Sequence, residues 1–193
     1  MAVLTRSKFM TAAIVGIMTG TYASSAPAAM IMNVYEAGNN VVVTASGTVN
    51  TAGLNYFIDN YAGIPVIEPS GLWVGNGWCS IYTGFSGPGS IGSGNGVFAN
   101  SYSGDLFAVT LFNGRLFVPQ GYVSGTPLSG TSTANNATLA QFGFVNGTYV
   151  YTWGTGPTAD SLTINVGIPE PASLSLLSAA GFALLRRQRR RRC

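Results

Sequence analysis

The 193-residue sequence predicts an all-β fold for residues 29–167, either an antiparallel β-sandwich or a jelly-roll-like barrel. Three observations predict it. Short runs rich in β-branched and aromatic residues alternate with Gly, Ser, Asn and Thr stretches at near-regular spacing. The segment "DSLTINVG" (160–167) alternates strictly, with Leu162, Ile164 and Val166 on one face and Thr163 and Asn165 on the other. No window between 29 and 168 sustains a 3.6-residue apolar period with helix caps.

The elements follow in order. "NNVVVTASGTVN" (39–50) is a β-branched run bounded by Asn. "SGLWVGNGWCSIYTGF" (70–85) carries Trp73, Trp78, Tyr82 and Phe85 among glycines. Aromatic rings in such a setting either fill a sandwich core or form a platform on which sugar rings stack, so Trp73, Trp78 and Tyr82 are candidate glycan contacts. "GFSGPGSIGSGNGVFANSYSG" (84–104) reads as a long loop or irregular edge within one domain. The halves on either side of it are too small to bury separate cores. In "GDLFAVTLFNGRLFVPQG" (104–121), Asn113-Gly114 predicts a two-residue type I′ hairpin turn, because this dipeptide supplies two positive φ values. "GTYVYTWG" (147–154) is an aromatic-rich strand.

Charge narrows the function. The chain has a net charge of +3, but the basic residues sit at its ends. Between residues 29 and 168, Arg115 stands against Glu36, Asp59, Glu68, Asp105 and Asp160, a net of −4. An acidic body of this kind excludes nucleic acid as a partner, since phosphate binding needs a basic surface on the folded part. The chain has no histidine, which removes the commonest general base and transition-metal ligand. No calcium-loop spacing or nonapeptide repeat occurs, and no metal or cofactor site is expected. Glycoside hydrolysis needs only two carboxylates, but nothing in the sequence pairs any of the five, and Asp59 and Asp160 sit in turn-like contexts. Catalysis is therefore not expected.

The two ends of the chain carry a different message. In "MAVLTRSKFMTAAIVGIMTGTYASSAPA" (1–28), Arg6 and Lys8 form a positive region ahead of an apolar run. Ala26 and Ala28 then supply the small residues of a cleavage site. This is the order of a secretory signal peptide, read by the Sec export machinery, so the body is expected outside the cytoplasm. At the other end, "IPEPASLSLLSAAGFALLRRQRRRRC" (168–193) places Pro169-Glu170-Pro171 before an uncharged run, 172–185. As a helix that run measures about 21 Å, short for a hydrocarbon core of about 30 Å. Arg186, Arg187, Arg189, Arg190, Arg191 and Arg192 then hold the tail on the cytoplasmic side and stop transfer.

These three ordered parts resemble the PEP-CTERM sorting signal of exported proteins in Gram-negative bacteria. The resemblance implies that an exosortase, a membrane cysteine peptidase, recognises Pro169, Glu170 and Pro171 and cuts nearby. The inner membrane then holds the chain only during sorting, and the body passes to the cell surface or extracellular matrix. The family's setting implies a structural or adhesive role linked to exopolysaccharide or biofilm. The alternative is a carbohydrate-binding module or a carbohydrate-active enzyme using carboxylates. "SGDLF" (103–107), "VPQGYVSGTPLSGT" (118–131) and "GTYVYTWG" (147–154) also resemble bodies that recur upstream of such signals, and bring no functional residues with them. On this topology Cys193 is cytoplasmic and Cys79 is outside, so the two cannot form an intramolecular disulfide. Cys79 is expected to be a buried small hydrophobe.

Overall fold

The computed structural model describes residues 29–167. The expected signal peptide with Ala26 and Ala28, the motif Pro169–Pro171, the apolar run 172–185 and the arginine block lie outside the described residues. Strands follow one another along the chain, with no α-helix among the described residues. The first seven are β1 (Ala29–Ala37), β2 (Asn40–Gly47), β3 (Asn55–Gly63), β4 (Val66–Glu68), β5 (Gly71–Val74), β6 (Gly77–Thr83) and β7 (Val97–Phe98). The others are β8 (Ser101–Gly104), β9 (Phe107–Thr110), β10 (Arg115–Pro119), β11 (Leu128–Asn135), β12 (Gly147–Trp153) and β13 (Asp160–Val166). They form a six-stranded sheet, ordered β12-β13-β1-β2-β11-β8, and a seven-stranded sheet, ordered β3-β6-β10-β9-β5-β4-β7. The all-β expectation is met, with two sheets sharing a core.

Alternation makes that core. Met30, Met32 and Val34 of β1, Val41 and Val43 of β2, and Leu162, Ile164 and Val166 of β13 are buried on one face of the six-stranded sheet. Leu72 and Val74 of β5, Phe107 and Val109 of β9, and Leu116 and Val118 of β10 come from the other sheet and belong to the same cluster. Full burial of one such side chain stabilises by about 1.5–3 kcal/mol, so the period of two is worth enough to set which face turns inward.

One pairing departs from the antiparallel expectation. β1 runs parallel to β13, with Met30 opposite Leu162 and Val34 opposite Val166. The remaining pairings are antiparallel. Side-chain alternation dictates the buried face of a strand but not the direction of its neighbour.

The turns show a second difference. β9 and β10 do form a hairpin, but Thr110 pairs with Arg115, leaving a four-residue loop from Leu111 to Gly114. Only Gly114 of the Asn-Gly pair has a positive φ, 62°. The reason is Leu111, which is buried in the core and donates its N–H to the Ser70 carbonyl at 2.7 Å. That anchor draws residue 111 out of the ladder and lengthens the loop. A two-residue turn does occur between β1 and β2, where Ala37 pairs with Asn40 and Gly38 takes φ 60°.

The Gly/Ser-rich stretch packs against both sheets. Ile91 is buried in the main core, its N–H donates to Pro69 O at 2.8 Å, and its carbonyl accepts from Val145 N at 2.9 Å. Ser86 bridges to Thr152 on the edge strand β12. Gly87 lies so close to the Tyr151 ring that a Cβ would come within 2.2 Å of it.

The seven-stranded sheet is strongly curled. β3 and β4 hold its first and sixth positions yet are joined only by Ile64 and Pro65. In a flat sheet five strand spacings would separate them by about 24 Å. Three Cα steps reach at most about 11 Å. The sheet must bend until these strands approach across its outer face. Two bulges in β3, at Phe57 and between Ile58 and Tyr61, supply local twist. The curl encloses a second apolar cluster of Trp73, Cys79, Ile81, Leu106, Ala108 and Phe117.

Candidate functional site

Register places the candidate glycan contacts. Tyr82 pairs with Leu116, which pairs with Val109, which pairs with Leu72, so Tyr82 shares the inward face with the main core. Trp73 pairs with Ala108, Ala108 with Phe117, and Phe117 with Ile81, all on the outward face. The two rings therefore lie on opposite sides of one sheet. Trp78 is exposed at the start of β6. The structure does not bring these three residues together.

Trp73 instead belongs to another aromatic group. Its ring lies 4.4 Å from that of Phe117 and 6.4 Å from that of Tyr61, centroid to centroid. Tyr61 sits on β3 and reaches over the sheet because of the curl. Where β3 approaches β4, a seam stays open as a groove of about 480 Å³. Tyr61, Ile64, Val66, Trp73 and Phe98 line it, with Glu68 as its one ionisable carboxylate. Glu68 runs between two glycines: a Cβ on Gly96 would come within 2.4 Å of its Cβ, and one on Gly71 within 3.4 Å of its Oε1. Ile64 and Phe98 stand well exposed at the rim. Aromatic faces beside a single acceptor can stack an apolar ring face and hold one donor.

The other four carboxylates of the body accept structural hydrogen bonds. Glu36 accepts from the Leu139 N–H at 2.7 Å, and Asp105 from the Ser129 N–H at 2.9 Å. Asp59 accepts from the Ser80 hydroxyl at 2.6 Å and from the Gln120 amide at 3.4 Å. Asp160 is buried and accepts from the N–H groups of Asn50 and Ser161, both at 2.6 Å. Burial pushes the Asp160 carboxyl above the ordinary range, partly offset by those two N–H donors. Among the described residues, no hydrogen bond links any two carboxylates, and no three metal-ligating side chains cluster.

Cys79 is a buried free thiol whose Sγ donates to the Tyr61 carbonyl at 3.2 Å. Burial, with a smaller contribution from Asp59, pushes it up to about 11. A thiol held protonated in this way is a poor nucleophile. Arg115, the body's only basic residue, lies over the Phe57 ring at 4.6 Å. No helix of the described residues is long and apolar enough to cross a membrane. The seam was not foreseen from the sequence. Its only local signal is the apolar edge run "NYFIDNYAGIPV" (55–66), whose exposed rings are unusual for a strand. Comparison with family models, with curated proteins and with solved structures finds no match to this chain.

Proposed function

We propose that the chain is exported through residues 1–28 and held briefly in the inner membrane by residues 172–192. An exosortase then acts at Pro169-Glu170-Pro171 and delivers the body to the envelope or extracellular matrix, where it serves as a non-catalytic structural or adhesive protein. The sorting part rests on the order of motifs at the two ends of the sequence. One observation supports the non-catalytic part: four of the five body carboxylates are committed as hydrogen-bond acceptors that hold turns and strands, and Glu68 has no acidic partner in its groove. A glycosidase needs two carboxyl groups facing one bond.

A second reading, a carbohydrate-binding module, is favoured by the seam, where Tyr61, Trp73 and Phe98 accompany Glu68. Two experiments separate these readings. Mass spectrometry of the mature protein reports both processing sites, and replacing Pro169-Glu170-Pro171 by three alanines should trap the chain in the inner membrane. Normal release of that variant counts against sorting. The purified protein is also screened against glycosidase substrates. Turnover lost in Glu68→Gln would replace the structural reading by an enzymatic one. Binding without turnover that is lost in Phe98→Ala would favour the module.

A further inference from the structure

The outward face of the six-stranded sheet carries a different kind of surface. Alternation assigns it the odd residues of β1, β8, β11 and β13 and the even residues of β2 and β12. None of these positions is charged, and most are Ser, Thr or Asn. The body carries few charges anywhere, Arg115 and five carboxylates, so what distinguishes this face is its run of short hydroxyl and amide side chains. All five carboxylates and Arg115 lie elsewhere.

The register aligns these side chains. Thr148 pairs with Asn165, Asn165 with Asn33, Asn33 with Thr44, Thr44 with Thr131, and Thr131 with Ser103. One unbroken polar row thus crosses all six strands, a length of about 24 Å. Part of it is internally hydrogen-bonded: the Thr148 hydroxyl donates to Asn165 Oδ1 at 3.0 Å, and the Asn165 amide donates to Asn33 Oδ1 at 3.0 Å. Those bonds orient the amides and hydroxyls before any ligand arrives. The side chains are short, and Thr is stiff at χ1, so little rotamer freedom remains to be lost on contact.

We propose that this row is a binding surface for a neutral, hydroxyl-rich polysaccharide laid across the strands. The proposal rests on the non-catalytic, matrix-associated reading above and gives it a ligand class. An anionic polymer would be desolvated here without a cationic partner and would face a body of net charge −4. A neutral chain of hydroxyls meets donors and acceptors like its own. The inherent twist of a six-stranded sheet, some 20° per strand, suits a flexible chain better than a planar crystalline lattice.

The test is native gel electrophoresis of the mature, released protein, which lacks the arginine block, in gels cast with a neutral α-glucan, a neutral β-glucan, a neutral galactomannan or anionic alginate. At least one neutral polymer should retard the protein, and high salt should leave the retardation unchanged, since no ion pair is screened. Thr131→Lys, and separately Ser103→Lys at the exposed end of the row, should weaken retardation about tenfold, whereas Thr131→Ser and Phe98→Ala should retain it. Thermal midpoints matched to the parent show that each lysine variant is folded. Three results overturn the proposal: no retardation by any neutral polymer, equal salt-sensitive retardation by alginate, or loss in Phe98→Ala with both folded lysine variants unaffected. Cleavage of the retarding polymer would instead overturn the non-catalytic reading and leave the row in place as its binding surface.

Discussion

The curl of the seven-stranded sheet can be tested at Gly63. A Cβ placed there would sit 2.4 Å from Trp73 Cζ3, 3.1 Å from Trp73 Cε3 and 3.2 Å from Leu106 Cδ1. Ordinary contact begins near 3.4 Å, so Gly63→Ala creates an overlap of about 1 Å with the indole ring. The indole has little room to retreat, because the Phe117 ring stands 4.4 Å away on its other contact. Overpacking of this kind costs about 1–3 kcal/mol. For a body of this size that is roughly 3–5 °C of thermal midpoint per kcal/mol, a drop of about 3–15 °C. Trp73→Phe removes the clashing Cζ3 and Cε3 atoms. In Gly63→Ala/Trp73→Phe the two effects should therefore be non-additive, with a coupling of about 0.5–3 kcal/mol relieving the strain. Thermal unfolding followed by circular dichroism on the four proteins of the cycle reads this out. An unchanged midpoint in Gly63→Ala, or strict additivity in the double variant, would refute the argument that β3 crosses the outer face against Trp73.

Four further outcomes are expected. Asp160→Ala leaves the half-buried Asn50 and Ser161 N–H groups without their acceptor, at about 1–3 kcal/mol in total, measured by denaturant unfolding. Because burial raises the Asp160 carboxyl, the folded state binds that proton more tightly than the unfolded chain does. The stability of the parent relative to Asp160→Asn should therefore fall as pH rises from about 4 through the raised value, and a constant difference across that range would contradict the shift. Cys79 should resist a thiol reagent at neutral pH in the folded protein and react promptly after unfolding; prompt labelling of folded protein would contradict its burial and raised pKa. Gly47→Ala should destabilise by more than 1 kcal/mol, roughly the ordinary Gly-to-Ala scale, because Gly47 holds φ 139° and a Cβ there would come within 2.1 Å of Ala29 O.

Local chemistry made much of this molecule legible in advance. The alternation of "DSLTINVG" placed Leu162, Ile164 and Val166 on one face, which the structure buries in the core, and the β-branched run at 41–43 marked β2. The Gly38-Asn39 pair was an equally local signal for a tight turn, one that a reading centred on Asn-Gly passes over. Asn113-Gly114 was misleading because turn geometry is settled jointly with packing: burial of Leu111 and its bond to Ser70 override the dipeptide's preference. The aromatic trio failed to form one platform for a related reason. Trp73 and Tyr82 come from strands separated by two others, and only the register shows that they face opposite ways.

The sequence by itself determined the class of the fold, the inward face of its regular strands, the acidic character of the body and the export and sorting expectations at its ends. Each of these depends on composition or on neighbours a few residues apart. Tertiary structure alone decided the parallel pairing of β1 with β13, the curl that opens a seam between β3 and β4, and the uncharged row from Thr148 to Ser103. Those features depend on which strands lie side by side and in what register. Pairing is selected by the free energy of the whole assembled core, to which distant segments contribute together, so no local window contains it.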